Sequence, residues 1–507
     1  MNIKRVKYSL LTGLFFMTLL VACSKDDGSD IPPVDDDDDE QVDDDDDQTS
    51  LDDGPIDFSV MNDTYGELAS PDQVYSWRHY NVHDPALLDN GDFVYSYSTD
   101  VAFGHEIRPG HQIRRSINMV EWEFVGWVFP GLPTAGANYI RQNGGEPFNA
   151  LWAPYAIKVG DEYRVYYSLS SETPRLSVIG LAVSDSPKGP FQERGLVVTS
   201  KNDNSRQTNA IDPTVIVGKD GRHWMYYGSA WDGIYILELN PTTGLSVSSS
   251  DKGRRIAQRG FTADRVNGNI EGPEIIYNEE FDMYYLFIAY DWLESKYNVR
   301  VGRSADPNGP FLDILGNDMN VENDDLPMIL APYKFNGHSG WQGVSHPGVV
   351  KKDDTYYMAH QGRPGENRFY MVMHTRQIFW TEDGWPMVSS QRFAGEEETV
   401  VEESELVGDW EYMPYTYRVV PGYAEEQVTP DFITSESLSL SADGTFNGNA
   451  NYTWTYNAPW LTMDWSGQET YTLRIERGRD WENQVESTIL FTGLNEQGNT
   501  AWAKKIN

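Results

Sequence analysis

Three carboxylates stand just before a proline and an apolar stretch, at places that look equivalent. Asp84 and Asp212 each directly precede a proline, and Glu271 lies two residues before Pro273. Carboxylates that converge repel one another, so the pKa of one of them rises, an arrangement that costs folding stability and suits acid–base catalysis. A single Asp-Pro pair is usually a turn or a cap, so the chemistry depends on whether these places meet in the fold.

The elements that carry the three acids form an internal repeat. Each repeat has a proline beside an apolar strand, then a turn signal, then a second strand rich in aromatic and β-branched residues. The anchor prolines are 59 to 74 residues apart, at positions 85, 154, 213, 273 and 347. Five such units predict an all-β protein with a five-bladed β-propeller. A long β-sandwich or two tandem β domains are the alternatives.

The rotational symmetry of a propeller brings the five inner strands to one mouth. The inner strands are expected to begin at the anchor prolines, because proline lacks a ladder N–H and suits the first residue of a strand. The second unit has Trp152 instead of an acid, and the fifth has His346. Three acids, a tryptophan and a histidine around one mouth predict a glycosidase-like site.

Other aromatic residues could bind sugar rings near this mouth. The chain is rich in aromatic residues, with 16 Trp and 30 Tyr; core packing explains many of them, and the excess also suits stacking on sugar rings. Trp231, Tyr290 and Trp292 follow the second strands of the third and fourth units, where stacking on a sugar is the functional interpretation. Blade packing is the alternative, especially for Tyr290.

The net charge of the chain disfavours one class of binding partner. The formal net charge is −39, and the aspartate-rich stretch 24–53 accounts for only part of it. An acidic body repels phosphate backbones, which excludes nucleic acid as a favoured partner.

The N-terminus predicts an exported lipoprotein. Residues 1–22 combine a basic start with a short apolar stretch and are interpreted as a signal peptide, and Leu20–Cys23 resembles a lipobox in which Cys23 is lipidated. Residues 23–55 are predicted to be an acidic, disordered tether, similar to the surface-export signal of Bacteroidetes-type lipoproteins. The expected location is the outer-membrane surface, with membrane contact only through the lipid. An uncleaved anchor and calcium binding by the aspartates are the alternatives.

The remaining chain divides into two predicted folded domains. Residues 70–396 should form the propeller. Residues 400–507 alternate apolar and polar positions and contain an Ala-Asp-Gly hairpin signal, so they predict a small antiparallel β-barrel or sandwich.

The motifs also resemble a known family. HDPALL, LWAPYAI, AIDPTVIV and IEGPEIIY are similar to blade motifs of glycoside hydrolase family 43, whose members are inverting enzymes with five-bladed propellers. The stretches 226–239, 297–311 and 376–396 resemble endo-α-1,5-L-arabinanases, including the type with a C-terminal β-barrel. The resemblance implies Asp84 as general base, Glu271 as general acid and Asp212 as the residue that stays ionised and raises the pKa of Glu271. Inversion requires base and acid carboxyls about 6.5–9.5 Å apart.

The resemblance also implies a calcium ion or a similar ion in the channel, bound by His346 and water. The sequence around His346 departs from the family pattern, and calcium prefers oxygen ligands. No organic cofactor is expected, and zinc catalysis is disfavoured because the chain has no HExxH motif or Cys cluster.

The resemblance therefore implies an enzyme that cleaves internal bonds of pectic arabinan or arabino-oligosaccharides, and a tethered, acidic surface enzyme is expected to be a monomer. Two alternatives stay open: an exo-acting arabinofuranosidase or β-xylosidase of the same family, and a non-catalytic glycan-binding surface lipoprotein.

Overall fold

The computed structural model describes most of the chain after the acidic stretch. The described ranges are 54–61, 70–102, 105–259, 261–262, 265–266, 269–321, 327–415 and 427–506. The predicted signal peptide, Cys23 and nearly all of the predicted tether lie outside them. Within these ranges, the structure contains no helix long and apolar enough to cross a membrane.

The first half of the propeller consists of two four-stranded antiparallel sheets, each ordered by sequence from the inside outwards. Blade 1 contains β1 (Ala86–Asp89), β2 (Val94–Ser98), β3 (Gln112–Ser116) and β4 (Glu123–Trp127). The connection to blade 2 contains α1 (Thr134–Gln142), which contacts the outer two strands of blade 2. Blade 2 contains β5 (Trp152–Val159), β6 (Glu162–Leu169), β7 (Val178–Ser184) and β8 (Gln192–Thr199).

Blades 3 and 4 repeat the same topology. Blade 3 contains β9 (Thr214–Val217), β10 (His223–Tyr227), β11 (Ile234–Leu239) and β12 (Arg254–Ala257). The short hairpin β13 (Phe261–Thr262) and β14 (Arg265–Val266) separates it from blade 4. Blade 4 contains β15 (Ile270–Asn278), β16 (Met283–Tyr290), β17 (Asn298–Ser304) and β18 (Met328–Leu330).

Blade 5 is larger because other parts of the chain join it. Its own strands are β19 (Tyr333–Lys334), β20 (Trp341–Lys352), β21 (Thr355–Pro364), β22 (Val372–Trp380) and β23 (Pro386–Val388). Tyr80, which follows two short 3-10 helices (Phe58–Val60 and Pro71–Ser76), bridges to Val372 in β22. The segment before blade 1 thus bonds to blade 5 and helps to close the ring.

The five inner strands form that ring. They contact one another in the order β1, β5, β9, β15, β20 and back to β1. Apolar clusters fill the spaces between successive sheets, as with Tyr97 and Tyr167 between blades 1 and 2. The predicted five-bladed propeller is therefore confirmed.

The prediction that each inner strand begins at its proline is wrong for three blades. β1 and β9 start directly after Pro85 and Pro213, but β5, β15 and β20 contain their prolines. In those three strands the pairing register shifts at the proline. A bulge accommodates the missing N–H without ending the strand.

The C-terminal part forms a closed eight-stranded barrel, which confirms the barrel rather than the sandwich. After α2 (Glu403–Leu406), its strands are β24 (Gly408–Pro414), β26 (Glu436–Leu440), β27 (Thr445–Phe446), β28 (Asn449–Asn457), β29 (Trp460–Trp465), β30 (Thr470–Asp480), β31 (Val485–Asn495) and β32 (Thr500–Lys505). β25 (Ile433–Thr434) leaves the barrel and pairs with β19 of blade 5. Met413 and Trp502 of the barrel share an apolar cluster with Trp341 of blade 5, so the barrel packs directly on the propeller.

Candidate active site

The inner strands present a left-handed residue directly before the proline in four of the five blades. Asp84, Asp212, Gly272 and His346 have φ values of 52°, 57°, 56° and 56°. Positive φ is uncommon for residues other than glycine and marks a special backbone position. In blade 4 glycine occupies that position, so the acid Glu271 stands one residue earlier. This explains the offset of Glu271 from its proline in the sequence.

These four positions lie together. The Nδ1 atom of His346 lies 2.9 Å from Oδ1 of Asp84, and the amide of Gly272 donates to Oδ2 of Asp212 at 3.2 Å. A Cβ atom on Gly272 would lie 2.9 Å from Nδ1 of His346. Asp84, Asp212, Glu271 and His346 therefore meet at one site, as the repeat predicted.

Asp84 lies in a setting that favours its ionised form. Thr99 donates its hydroxyl to Oδ2 at 2.6 Å, and Nδ1 of His83 lies 2.6 Å from the same oxygen. Burial would raise the pKa of Asp84, but the nearby imidazoles of His346 and His83 outweigh it and hold the pKa well below its usual range. The carboxylate thus keeps its charge although only 6% of the residue is exposed.

Asp212 is buried to the same degree as Asp84, but its pKa shifts in the opposite direction. Its backbone amide donates to Oγ of Ser168 at 3.1 Å. Burial raises its pKa well above the usual value; the charge of His346 opposes this, while the carboxylates of Glu271 and Asp84 add to it. Desolvation outweighs the one cation nearby, and the ionised role of Asp212 that the resemblance implies stays a prediction.

Glu271 is the most exposed of the three acids and is held by two hydroxyl groups. Ser229 donates to Oε2 at 2.6 Å, and Tyr297 donates to Oε1 at 2.9 Å. Both donors lie in the sequence stretches that resemble arabinanases, 226–239 and 297–311, but no local pattern assigned them a role. Thr99, which holds Asp84, was likewise missed.

Glu274, three residues further along β15, is separate from this site. It accepts from Oγ1 of Thr214 at 2.9 Å and from the amide of Val349 at 3.0 Å, so it links blades 3, 4 and 5. Burial raises its pKa to about 8. Because both its oxygens are engaged within the inner strands, Glu274 is structural.

His346 carries a positive charge at neutral pH. Burial disfavours that charge, but Asp84, Asp212 and Glu271 raise the pKa to about 9. Among the residues that the structure describes, no group of three or more His, Cys, Asp or Glu side chains is placed to bind a metal. A calcium or similar ion bound by His346 and water stays a prediction, and no step below involves a metal.

The predicted sugar-binding aromatics differ in exposure. Trp231 is 50% exposed and lies two residues after Ser229, with the guanidinium of Arg175 5.3 Å from its ring. Trp152 is partly exposed and stacks on Phe148 at 5.3 Å. Both rings are available to a substrate near the acids.

The two candidate aromatic residues of blade 4 differ in how much of each side chain is exposed. Trp292 is partly exposed and donates its amide to Gln427. Tyr290 is fully buried, and the guanidinium groups of Arg259 and Arg300 lie 5.0 and 4.7 Å from its ring. It offers no face to a sugar, because the second strand of blade 4 ends inside the core.

Comparisons with known proteins find relatives along most of the chain. An extracellular endo-α-(1→5)-L-arabinanase of Thermotoga petrophila is 26% identical over 488 residues, which cover 87% of this chain and 96% of that protein. Extracellular endo-α-(1→5)-L-arabinanase 2 of Bacillus subtilis is 26% identical over 484 residues, 86% of this chain and 96% of its own. An extracellular exo-α-(1→5)-L-arabinofuranosidase of Cellvibrio japonicus is 27% identical over 327 residues, 62% and 88%.

Solved structures share the fold. A crystal structure of the Thermotoga petrophila endo-1,5-α-L-arabinanase has a TM-score of 0.72 at 24% identity, with 85% of this chain and 99% of that one covered. The Cellvibrio cellulosa α-L-arabinanase complexed with arabinohexaose has a TM-score of 0.51 at 27% identity, with 61% and 95% covered.

Family profiles cover both folded parts of the chain. Residues 390–503 match a C-terminal lipocalin-like domain that accompanies this kind of propeller. Residues 79–386 match glycosyl hydrolases family 43. The chain is therefore a glycoside hydrolase and belongs to glycosyl hydrolases family 43.

Proposed function

We propose that this glycoside hydrolase cleaves internal α-1,5-L-arabinofuranosidic bonds of arabinan with inversion at the anomeric carbon. The observation that carries the proposal is the contrast between two acids at one mouth: a buried Asp84 held ionised by two imidazoles, and a more exposed Glu271 held by two hydroxyls. The endo-arabinanases that align over nearly their whole length support the choice of substrate.

Asp84 acts as the general base in this proposal. Its low pKa keeps it ionised at neutral pH, and Thr99 and His346 fix the carboxylate in place. It takes a proton from a water molecule whose oxygen forms the new bond to the anomeric carbon. The charge of His346 stabilises the ionised base before the step, so replacing His346 should raise the pH at which activity is lost on the acid side.

Glu271 delivers the proton to the leaving oxygen as the glycosidic bond breaks. Burial and the neighbouring carboxylates raise the pKa of Asp212, and Glu271 is the more exposed of the two carboxyls. The amide of Gly272, which follows Glu271 in β15, donates to Asp212, so Asp212 orients the acid side of the site.

The products of debranched arabinan test the proposal. We expect mixed oligosaccharides from the wild type, with the newly formed reducing end appearing first as the β-anomer by NMR. Arabinose alone would support the exo-acting alternative, which the Cellvibrio japonicus relative favours, and xylose from an aryl xyloside would support the β-xylosidase. Binding without any product would contradict the proposal.

We further propose export as a surface lipoprotein, because a basic start, an apolar stretch and Cys23 precede the acidic stretch. Labelling of intact cells with a membrane-impermeant reagent should modify the protein, and Cys23→Ala should abolish lipid attachment. Recovery of the wild type only from the periplasm would contradict surface display.

A further inference from the structure

A segment of the C-terminal domain lies against the loop that carries Tyr297, which donates to the proposed general acid Glu271. This segment, residues 427–431, follows β24 in the chain, and the loop, residues 291–297, joins β16 to β17 in blade 4. Lys296 of the loop forms an ion pair with Asp431 of the segment. The two domains are therefore joined at the active-site end of blade 4 as well as along the barrel wall.

Gln427 makes the central contacts. Its side-chain oxygen Oε1 accepts from the amide of Trp292 at 2.7 Å, and its Nε2 donates to Oδ1 of Asp291 at 3.1 Å. Its backbone carbonyl accepts from the hydroxyl of Ser295. Gln427 is fully buried and Asp291 is 3% exposed, so water cannot easily replace these bonds.

The same loop fixes the tyrosine that holds the acid. The amides of Ser295 and Tyr297 both donate to the carbonyl of Trp292, at 3.1 and 3.0 Å. The hydroxyl of Tyr297 then donates to Oε1 of Glu271 at 2.9 Å. Gln427 and Glu271 are thus connected through the backbone of Trp292 and through Tyr297.

A second path secures the other side of Tyr297. Oδ2 of Asp291 accepts from Nδ2 of Asn298 at 2.7 Å, while its Oδ1 lies 3.0 Å from Nη2 of Arg259. The carboxylate of Asp291 is therefore shared between Gln427, a buried arginine and the residue after Tyr297. A loop held at both ends leaves little freedom for the ring between them.

We propose that Gln427 is a positioning residue for the general acid, through which the C-terminal domain holds Tyr297 and Glu271 in their working geometry. The proposal rests on the proposed role of Glu271. It assigns the C-terminal domain a part in the reaction, in addition to packing against the propeller. A displacement of about 1 Å at a catalytic group can cost on the order of 100-fold in rate.

The test compares two substrates that differ in how much they need the acid. Gln427→Ala should lower kcat about 10- to 100-fold on an arabino-oligosaccharide, with KM changed much less. On an aryl arabino-oligosaccharide with a dinitrophenolate leaving group, kcat should change little, because that group leaves without protonation. The variant is made in the full-length folded chain.

Thr500→Val is the matched control. Thr500 lies in β32 and donates its hydroxyl to the carbonyl of Met328 in blade 4 at 2.6 Å, so it also joins the two domains. This variant should leave the ratio of the two kcat values unchanged. Equal loss on both substrates by Gln427→Ala, or no loss on either, would overturn the proposal.

Hydrogen exchange of the intact protein gives a readout that does not depend on the substrate. The peptide covering residues 291–297 should exchange faster in Gln427→Ala and should be unchanged in Thr500→Val. Unaltered exchange there would also overturn the proposal. Failure of the wild type to cleave arabinan would contradict the proposed function alone, since exchange still reports on the contact.

Discussion

The propeller mouth and the interior of the C-terminal barrel differ in backbone conformation and in the kind of side chain that they bury. At the mouth, Asp84, Asp212 and His346 are left-handed residues with buried charged or polar side chains. Inside the barrel, the pairs β28–β29 and β29–β30 keep a continuous register. An apolar cluster fills the barrel, with Phe446, Leu461 and Phe491 fully buried.

The difference shows where each region's stability comes from. The barrel gains from apolar area removed from water, about 25 cal/mol per Å². The mouth concentrates groups that oppose folding, since a left-handed residue other than glycine costs roughly 1–2 kcal/mol and buried carboxyls raise their pKa or need partners. Sites that violate the rules of stable packing are typical of function, and substitutions in the two regions should have separable effects.

The largest effect is expected at the acids of the mouth. Asp84→Asn or Glu271→Gln should lower kcat by about 10²–10⁴-fold, because each removes one proton-transfer group while preserving shape. The barrel-core substitution Ile475→Val should instead lower the free energy of unfolding by about 0.5–1.5 kcal/mol and leave kcat unchanged. Initial rates on arabinan and urea unfolding measure both. Near-normal rates of either acid variant would remove the contrast between the regions.

A smaller effect distinguishes the cost of a left-handed backbone conformation from the cost of a steric clash at the added Cβ. Gly272 at the mouth and Gly448 in the barrel both have positive φ, 56° and 64°. A Cβ on Gly272 would lie 2.9 Å from Nδ1 of His346, whereas none of the nearby atoms lies within 4 Å of a Cβ on Gly448. Both alanine variants should lose roughly 1–2 kcal/mol of stability from the left-handed conformation. Only Gly272→Ala should also lower kcat, by about tenfold or more, because it displaces His346 from Asp84.

Gly448→Ala is the reference for the loss of stability. If Gly272→Ala and the wild type have equal kcat values, crowding of His346 by residue 272 does not disturb the catalytic position of Asp84. The pH dependence of kcat/KM adds a second readout. Displacement of His346 should move the acid limb to higher pH, because His346 is the larger of the two imidazole contributions that lower the pKa of Asp84.

The sequence predicted the features that depend on local patterns repeated along the chain. Five proline-anchored strands identified the propeller, and rotational symmetry placed Asp84, Asp212, Glu271 and His346 together. The offset of Glu271 was visible in the sequence, but its cause was not, because φ at Gly272 is a property of the folded strand.

Features that depend on contacts between distant segments had no such signal. Tyr290 was proposed to bind sugar from its place after a strand, yet the arginines that cover it come from residues 259 and 300, which the sequence does not connect with it. Gln427 lies 135 residues from Trp292 along the chain, and only the docking of the barrel on blade 4 brings them together. The pKa of Asp212 likewise depends on how deeply the mouth is buried.

The smallest effect concerns Glu274, which shares a strand with Glu271 but not its role. Its folded-state pKa of about 8 exceeds the usual 4.5, so it binds a proton more tightly in the folded chain. Its contribution to stability is therefore fully present below about pH 4.5 and is lost as the pH rises through about 8. Glu274→Gln cannot ionise and retains an oxygen for the amide of Val349. Between pH 5 and 9 its free energy of unfolding should fall less than that of the wild type, by a difference of roughly 1–3 kcal/mol, and kcat should stay near normal.

Urea unfolding at several pH values measures this difference, and identical slopes for the two proteins would show that Glu274 is already ionised in the folded channel. A loss of activity as large as that of Glu271→Gln would instead mean that the two carboxylates of β15 act together, and that the boundary between mouth and supporting core lies deeper in the propeller than residue 272.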